Sequence, residues 1–203
     1  MFNSQYKEAN DVLNYWFGGG DRSKRPKWFG GGEEAAKEVR DKFGPLVEKA
    51  RNDELKHWEN DPKASLALII LQDQFLRSLF KGSPTAFSRD TYCEELAKKF
   101  IQRETHDHLK FSAAARVFIY LPLEHSENRE TQEMNVQLFA QLEKDCKGGE
   151  DESSGNIWYK FACLHKEVVD QFGRFPQRNK VLGRENTPEE DEWLNNLPDR
   201  FKW

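Results

Sequence analysis

The chain has 203 residues, a formal net charge of −4, a pI of about 5.8 and an aromatic content of 13%. A chain of this length suits one domain, residues 1–203, and its aromatic content argues against intrinsic disorder. Acidic and basic residues are interspersed, so we expect no nucleic-acid-binding or membrane-binding surface, because each would need an extended basic face.

The cysteines and the terminal segment bear on the cellular compartment. The three cysteines are scattered and none lies in a CxxC pair, so we predict neither a disulfide framework nor a zinc knuckle. The N-terminus, MFNSQYKEAND, is too polar for a signal peptide. The longest apolar run, residues 66–71, is far shorter than the roughly 20 residues that span a bilayer. We therefore expect a soluble, cytoplasmic protein. The sequence contains no phosphate loop and no dinucleotide fingerprint, so we predict no cofactor.

The N-terminal part is predicted to form two amphipathic helices. Residues 5–17 carry apolar side chains at helical spacing and are followed by three glycines. A second helical pattern begins at Glu33 and contains Pro45, which should kink or divide the helix. Between them lies the aromatic pair Trp28-Phe29, which we interpret as an anchor into the core in preference to a flap over a pocket.

The most apolar helix is predicted to start at Asp61-Pro62, an N-cap acid followed by proline at the first helical position. Residues 66–71 are apolar on nearly every side, which is typical of a helix at the centre of a fold. Asp73, Gln74 and Arg77 follow on the same helix. Polar groups on a central helix need partners, because burying them without hydrogen bonds is costly.

A second strongly apolar helix is predicted for residues 111–121 and should end near Pro122. Two acids and a histidine follow at once, namely Glu124, His125 and Glu127. Titratable groups at the broken end of a buried helix are typical of functional sites. Before this helix, His106 and His108 lie in a polar connection and are expected to face solvent.

The C-terminal part contains the most distinctive segment. After an acidic, glycine-rich loop at about 145–156, which we predict to be flexible, a helix carries His165 and ends at Gly173. The next segment, residues 172–184, places a cluster of polar residues among apolar ones: Arg174, Arg178, Asn179 and Arg184. Arginine is charged at neutral pH and its planar donors suit carboxylate or phosphate, so the segment needs acidic partners or an anionic ligand.

No segment shows the alternation that is typical of a strand. We therefore predict an all-α, compact single-domain fold of about eight to ten helices with short connections. The last helix should open with a capping box, Thr187 to Glu190. The helices come in pairs that suit antiparallel helical hairpins.

Three stretches resemble the domain of unknown function 924 family: LALIILQDQFLRSLFKG (66–82), FIYLPLEHSE with Gln132 (118–132) and FGRFPQRNKVLGRENTPEE (172–190). The pairs Trp16-Phe17 and Trp28-Phe29 also fit this family, and the resemblance covers almost the whole chain. It implies a compact all-helical fold similar to that of tetratricopeptide-repeat proteins, and it brings no settled reaction.

The chain departs from the family pattern at three positions. The family usually has Pro and Asn where Leu76 and Ser78 stand, and His where Gln177 stands. Glutamine can preserve hydrogen bonding but cannot transfer a proton. An activity of relatives that depends on this histidine would therefore be lost here.

We predict that the polar residues of these stretches meet in one pocket. The candidate ligand-binding residues are Asp73, Gln74, Arg77, Arg174, Arg178, Asn179 and Arg184, and the candidate catalytic residues are Glu124, His125, Glu127 and His165. In this hypothesis the arginines bind a small anionic metabolite, a carboxylate or a phosphate, and a histidine provides acid–base chemistry. The spacing of the histidines and acids matches no metal motif such as HExxH, so we predict no metal site.

An alternative interpretation remains open. The same charged residues would then form a structural ion-pair network, with Asp73 paired to Arg77 and Glu124 or Glu127 paired to Arg174 or Arg178. The chain would act as a helical-repeat-like module that binds a peptide or a partner protein in an apolar groove. His165 would then be a core histidine.

Overall fold

The computed structural model describes residues 6–20 and 32–201, and these residues form ten α-helices and no strand. This confirms the all-α fold class and the predicted number of helices. The pair Trp28-Phe29 lies outside the described residues. The helices are α1 (Lys7–Phe17), α2 (Gly32–Arg51), α3 (Pro62–Ile69), α4 (Leu76–Leu79), α5 (Asp90–Gln102), α6 (Ala113–Glu124), α7 (Arg129–Cys146), α8 (Glu152–Phe172), α9 (Asn179–Leu182) and α10 (Pro188–Asn195).

The chain divides into two compact units, Met1–Pro122 and Leu123–Trp203, which we call unit 1 and unit 2. In unit 1, α2 continues through Pro45 as one helix, so the proline does not divide it. In the part of the chain that the structure describes, no helix is both long and apolar enough to cross a membrane.

The centre of unit 1 is the helical rod that begins at Pro62. The Asp61 side chain accepts a hydrogen bond from the Ala64 backbone N–H at 2.9 Å, which confirms the predicted N-cap. All of residues 64–73 are buried. The rod changes from α3 to a π-helical turn, Ile70–Phe75, before it continues as α4. Turns of this kind occur mostly inside α-helices and are frequent at functional sites.

Aromatic side chains pack around this rod. The ring of Trp16 on α1 lies 5.4 Å from the ring of Phe75 and 5.3 Å from that of Phe118 on α6. Both pairs meet edge to face, which is a favourable geometry for aromatic rings. The Trp16-Phe17 pair of the sequence therefore contributes to the core of unit 1.

Unit 2 is built on α7 and α8, which pack antiparallel. At one end, Arg129 Nη2 donates to the Asp170 carbonyl oxygen at 3.0 Å. At the other end, the backbone of Gly155 lies against Cys146, so closely that a Cβ on the glycine would be 2.9 Å from the Cβ of Cys146. The connection between these helices is shorter than the predicted loop 145–156, because α7 extends to Cys146 and α8 starts at Glu152.

A small apolar core holds the C-terminal segments against α8. Its buried members come from α8, from the segment directly after α8 and from the segment after α10. They are Leu164, Val168, Val169, Phe175 and Phe201. Phe172 on α8, together with Trp193 and Leu197 in and after α10, packs against this core. The arginine-rich segment is therefore fixed by apolar contacts at Phe175.

Candidate functional site

In unit 1, the predicted polar residues of the central rod bond with one another and with α5. Arg77 Nη1 lies 3.2 Å from Asp73 Oδ1, and the Arg77 guanidinium donates to both carboxylate oxygens of Asp90 at 2.9 Å. Gln74 Nε2 donates to Asp73 Oδ2 at 2.6 Å. Although burial opposes its charge, the carboxylates of Asp73 and Asp90 raise the pKa of Arg77. This arrangement matches the predicted Asp73–Arg77 ion pair and adds a second acid.

In unit 2, Arg174 is paired with a buried acid that the sequence analysis assigned only to a helix cap. Arg174 Nε and Nη2 each donate to a carboxylate oxygen of Glu190 at 2.7 Å, and Glu190 is 2% exposed. The hydrogen bonds from Arg174 lower the pKa of Glu190 to about 2, and burial works against this shift. Glu190 also completes the predicted capping box with Thr187. One carboxylate thus serves the helix cap and the arginine.

Arg184 forms a second bidentate pair in unit 2, with Glu127. Its Nη1 and Nη2 atoms donate to the two carboxylate oxygens at 2.6 and 2.9 Å. The Phe175 backbone N–H donates to the same carboxylate at 2.8 Å. Burial favours the neutral acid, but the hydrogen bonds from Arg184 and from Phe175 hold the pKa of Glu127 below its ordinary value.

Asn179 joins the two pairs. It is 0% exposed, its Nδ2 donates to Glu190 Oε2 at 3.2 Å, and its Oδ1 accepts from Arg184 Nε at 2.8 Å. We call the connected set of Glu127, Arg174, Asn179, Arg184 and Glu190 the arginine network. It is an ion-pair network of the predicted kind, but its pairs differ from the predicted ones: Glu127 pairs with Arg184, and Arg174 pairs with Glu190.

Arg178 contacts a backbone carbonyl oxygen and an aromatic ring. Its Nη1 donates to the backbone carbonyl oxygen of His125 at 3.0 Å, and its guanidinium lies 4.4 Å from the centre of the Phe175 ring. A guanidinium over an aromatic face is attracted by the ring electrons. Arg178 therefore ties the segment after α8 to the connection between α6 and α7.

His165 and Glu124 form a buried contact at the end of α6. His165 is 7% exposed and Glu124 is 4% exposed, and His165 Nδ1 lies 3.3 Å from Glu124 Oε1. The same nitrogen is 2.9 Å from the Phe161 carbonyl oxygen. A carbonyl oxygen can only accept, so Nδ1 of His165 carries a hydrogen. The His125 ring centre is 6.5 Å from that of His165, so the structure brings these three predicted catalytic residues together.

Two fully buried carboxamides lie on α7, and neither was predicted as a site residue. Gln132 Nε2 donates to the carbonyl oxygens of Glu124 and Ser126 at 2.7 Å each, while its Oε1 has no hydrogen-bond partner. Neither polar atom of the Asn135 side chain has a partner. Both residues are 0% exposed. The sequence does contain a signal for these residues, because each is a polar residue at a position of the amphipathic helix where an apolar residue would face the core.

Contacts join Gln132 to Glu124 and Glu124 to His165, and helix geometry indicates that Asn135 lies beside them. Gln132 and Asn135 are three positions apart and therefore lie on one side of α7, the side that meets the end of α6. The antiparallel register, with Glu133 beside Lys166 at 3.6 Å, puts Asn135 level with His165 on α8. We call Glu124, Gln132, Asn135 and His165 the polar cluster.

Gln177 is another carboxamide in unit 2 with buried, unpartnered atoms. Neither its Oε1 nor its Nε2 has a hydrogen-bond partner. Its neighbour Arg178 is the residue that bonds to His125. Gln177, where the family usually has histidine, is therefore adjacent in sequence to Arg178, which bonds to the residue that directly follows α6.

The two histidines that were expected to face solvent do not. His106 is 2% exposed, and its Nε2 lies 3.0 Å from the Glu59 carbonyl oxygen. His108 Nδ1 is 2.6 Å from the hydroxyl of Tyr120, which also accepts from Arg116 Nε at 3.1 Å. The prediction was wrong because the connection folds back onto α5 and α6, and polar sequence alone does not report this.

Metal binding has no support among the residues that the structure covers. Within 6–20 and 32–201, no group of three or more histidine, cysteine or acidic side chains is arranged to hold a metal ion.

The fold and the polar cluster together define an all-helical protein with a buried group of hydrogen-bonding side chains at the end of one helix. The chain belongs to a family described as bacterial protein of unknown function (DUF924), whose model matches residues 12–197. The solved structure of the protein of unknown function ATU0120 from Agrobacterium tumefaciens is similar to it, with 30% identity and a TM-score of 0.79. That match covers 95% of this chain and 99% of the other. A comparison with curated proteins found no match.

Proposed function

We propose that this chain binds a small polar metabolite at the polar cluster of unit 2. The observation that carries the proposal is Asn135, which is 0% exposed and has no hydrogen-bond partner at either end of its carboxamide. A buried polar group without a partner costs about 1–3 kcal/mol, so nearly all such groups in folded proteins are satisfied. A bound molecule that supplies the missing hydrogen bonds would recover this free energy.

Acid–base chemistry by His165 is the catalytic part of the proposal. The Phe161 carbonyl oxygen and the Glu124 carboxylate both lie close to Nδ1, at 2.9 and 3.3 Å, and so fix the orientation of the ring. A histidine that is oriented through Nδ1 uses Nε2 to accept or donate a proton. We assign this role to His165, with Glu124 as its orienting acid and His125 as a second titratable group nearby.

Three of the arginines that were predicted to bind an anionic ligand are paired with carboxylates of the protein, which favours a structural role for them. Arg77, Arg174 and Arg184 are each paired with at least one carboxylate at 3.2 Å or less. Such pairs compensate the positive charge and fix the geometry of neighbouring segments. We therefore propose that the arginine network holds the segment after α8 in place and that Arg178 positions His125.

The interaction-module alternative requires an apolar groove. A groove of about 480 Å³ does lie on the surface of α7 and α8, and four of its six lining residues are charged or amide side chains: Val136, Cys163, Lys166, Glu167, Asp170 and Gln171. Peptide-binding grooves of helical proteins bury apolar anchors. This groove therefore supports the alternative less well than the buried carboxamides support metabolite binding.

The cysteines support a cytoplasmic location. Cys93, Cys146 and Cys163 form no disulfide bond. Burial raises the pKa of Cys93 well above its ordinary value, so this thiol is protonated and unreactive at neutral pH. Proteins with free, buried thiols are typical of reducing compartments, and we propose that the chain works in the cytoplasm.

A thermal-shift panel on the purified chain tests the proposal. It would compare carboxamides, nucleobases, amino acids, sugars, carboxylates and phosphates. A ligand at about 100 times its dissociation constant adds about 2.7 kcal/mol, and each kcal/mol raises the melting temperature of a chain this size by about 2–4 °C. We expect at least one class to raise the melting temperature of the wild type.

The matched variants are Asn135→Leu and Gln137→Leu, both on α7. Asn135→Leu keeps the size of the side chain and removes its polar atoms, so it should abolish the ligand-induced shift without lowering the stability of the free protein. Gln137 is exposed, and Gln137→Leu should keep the full shift. A panel without any shift, together with a strongly destabilised Asn135→Leu variant, would overturn the proposal.

A further inference from the structure

We infer that the ligand of the polar cluster is uncharged and presents an N–H donor beside a C=O acceptor, as a primary carboxamide, a urea or a nucleobase edge does. The inference rests on the proposed function and names the ligand class for the same site. It departs from the anionic ligand that the sequence predicted.

The orientation of Gln132 supplies the first requirement. Its Nε2 donates to two carbonyl oxygens, of Glu124 and Ser126, at 2.7 Å each. Reversing the amide would place Oε1 against two other acceptors, so the orientation is fixed. The buried Oε1 without a partner must therefore meet a hydrogen-bond donor. A carboxylate or a fully ionised phosphate offers only acceptors and cannot meet it.

Asn135 supplies the second requirement. Its Oδ1 and Nδ2 both lack partners, so the complementary group must donate one hydrogen bond and accept another. This holds whichever way the amide is turned, because one end always donates and the other always accepts. A cation offers only donors and would leave Nδ2 unsatisfied.

An amide edge meets both requirements with one functional group. Its NH₂ group has two hydrogens, for Gln132 Oε1 and for Asn135 Oδ1, and its carbonyl oxygen accepts from Asn135 Nδ2. A single hydroxyl has one hydrogen and cannot serve both oxygens. Gln132 and Asn135 are fully buried and three positions apart on one side of α7, and the inference is that one small molecule reaches all three atoms.

Matched amide and acid probes test the ligand class. Nicotinamide and nicotinate, and benzamide and benzoate, differ mainly by an NH₂ group against a second carboxylate oxygen. Glucose serves as the hydroxyl-bearing probe. Ligand-observed NMR and thermal shift on the full chain should show that each amide binds at least about tenfold more tightly than its acid, since sites with buried polar groups reject analogues that leave them unpaired.

Two variants and one control separate the outcomes. Asn135→Asp replaces the donor by an acceptor and should weaken the binding of the amide about tenfold or more. Asn135→Leu removes both polar atoms without adding a buried charge and should weaken binding by a similar factor. Gln137→Leu should bind the amides as the wild type does. Binding of the acids or of glucose but not of the amides would overturn the ligand class and leave the proposed function standing. If no probe binds and Asn135→Leu is strongly destabilised, Asn135 has its hydrogen-bond partners within the free protein, and both proposals fail.

Discussion

Arg184 and Glu127 lie 57 residues apart in the sequence and form a bidentate ion pair with distances of 2.6 and 2.9 Å. Glu127 stands in the connection between α6 and α7, and Arg184 stands after α9. The Phe175 backbone N–H donates to the same carboxylate at 2.8 Å. This one acid therefore fixes the arginine-rich segment against the segment that carries His125.

Arg184→Met should lower the free energy of unfolding by about 1–3 kcal/mol, because it leaves a half-buried carboxylate without its charged donor. Urea unfolding followed by far-UV circular dichroism measures this loss. The control is Arg200→Met, which removes an ion pair with Glu167 whose side chains are 55% and 49% exposed. That variant should lose less than about 1 kcal/mol. Equal losses would show that the Arg184 pair contributes no more than a surface pair.

The buried acid Glu190 should make the chain sensitive to low pH. Its pKa is lowered from 4.5 to about 2 in the folded state, so folding favours the charged form. The stabilisation is present above the unfolded pKa and is lost as the pH falls from about 4.5 towards 2. Glu190→Gln removes the titrating group and should flatten the decline of the unfolding free energy over this range, as measured by urea unfolding at several pH values. A variant with the full wild-type decline would contradict the assignment.

Tyr120→Phe should destabilise unit 1 by about 1–3 kcal/mol. The Tyr120 hydroxyl accepts from Arg116, which is 6% exposed, and lies 2.6 Å from His108 Nδ1. The pKa of His108 is lowered mainly by burial and, to a smaller extent, by the positive charge of Arg116. The neutral His108 ring therefore accepts the hydrogen of the Tyr120 hydroxyl. The phenylalanine ring removes a partner from both residues. Thermal unfolding measures the loss.

The control for this variant is Tyr15→Phe. The Tyr15 hydroxyl donates at 3.1 Å to Glu38, whose side chain is 47% exposed and can turn to water. Its removal should therefore cost less than the removal of the Tyr120 hydroxyl. A larger loss of stability for Tyr15→Phe than for Tyr120→Phe would show that the hydrogen bonds of the Tyr120 hydroxyl to His108 and Arg116 do not stabilise the fold.

Gly155→Ala should lower the melting temperature, although alanine favours a helix by about 1 kcal/mol over glycine. The new Cβ would lie 2.9 Å from the Cβ of Cys146 and 3.4 Å from Cα of Glu143, so α7 and α8 would have to move apart. Overpacking of this kind costs about 1–3 kcal/mol. The exposed Ser153→Ala on the same helix should change stability by less than about 0.5 kcal/mol. A more stable Gly155→Ala variant would mean that the helices separate easily.

Features with a local cause were predictable from the sequence. The N-cap at Asp61 and the capping box of Thr187 and Glu190 depend on residues three or fewer positions apart, and both are present. The π-helical turn was not predicted. A run that is buried on every side has no polar face, so its periodicity cannot reveal one additional residue in a turn.

The candidate site was predictable only in part. The requirement of the arginines for acids follows from charge alone, but the choice of Glu190 for Arg174 depends on how α10 folds back. The contact of His165 with Glu124 joins predicted residues that lie on different helices. Asn135 was not predicted because the buried side of α7 is recognised from its apolar positions, and a buried polar residue among them breaks that pattern.

The π-helical turn at Ile70–Phe75 has a consequence for chain length. Such a turn accommodates one residue more than a regular α-helix while the flanking helices keep their directions. Loss of one residue within the turn would therefore leave Arg77 facing Asp90. Loss of one residue within α3 would instead rotate everything before it by about 100° relative to Arg77. Relatives of this chain should therefore tolerate the deletion of one residue inside the turn. Deletion of one residue within α3 should be selected against.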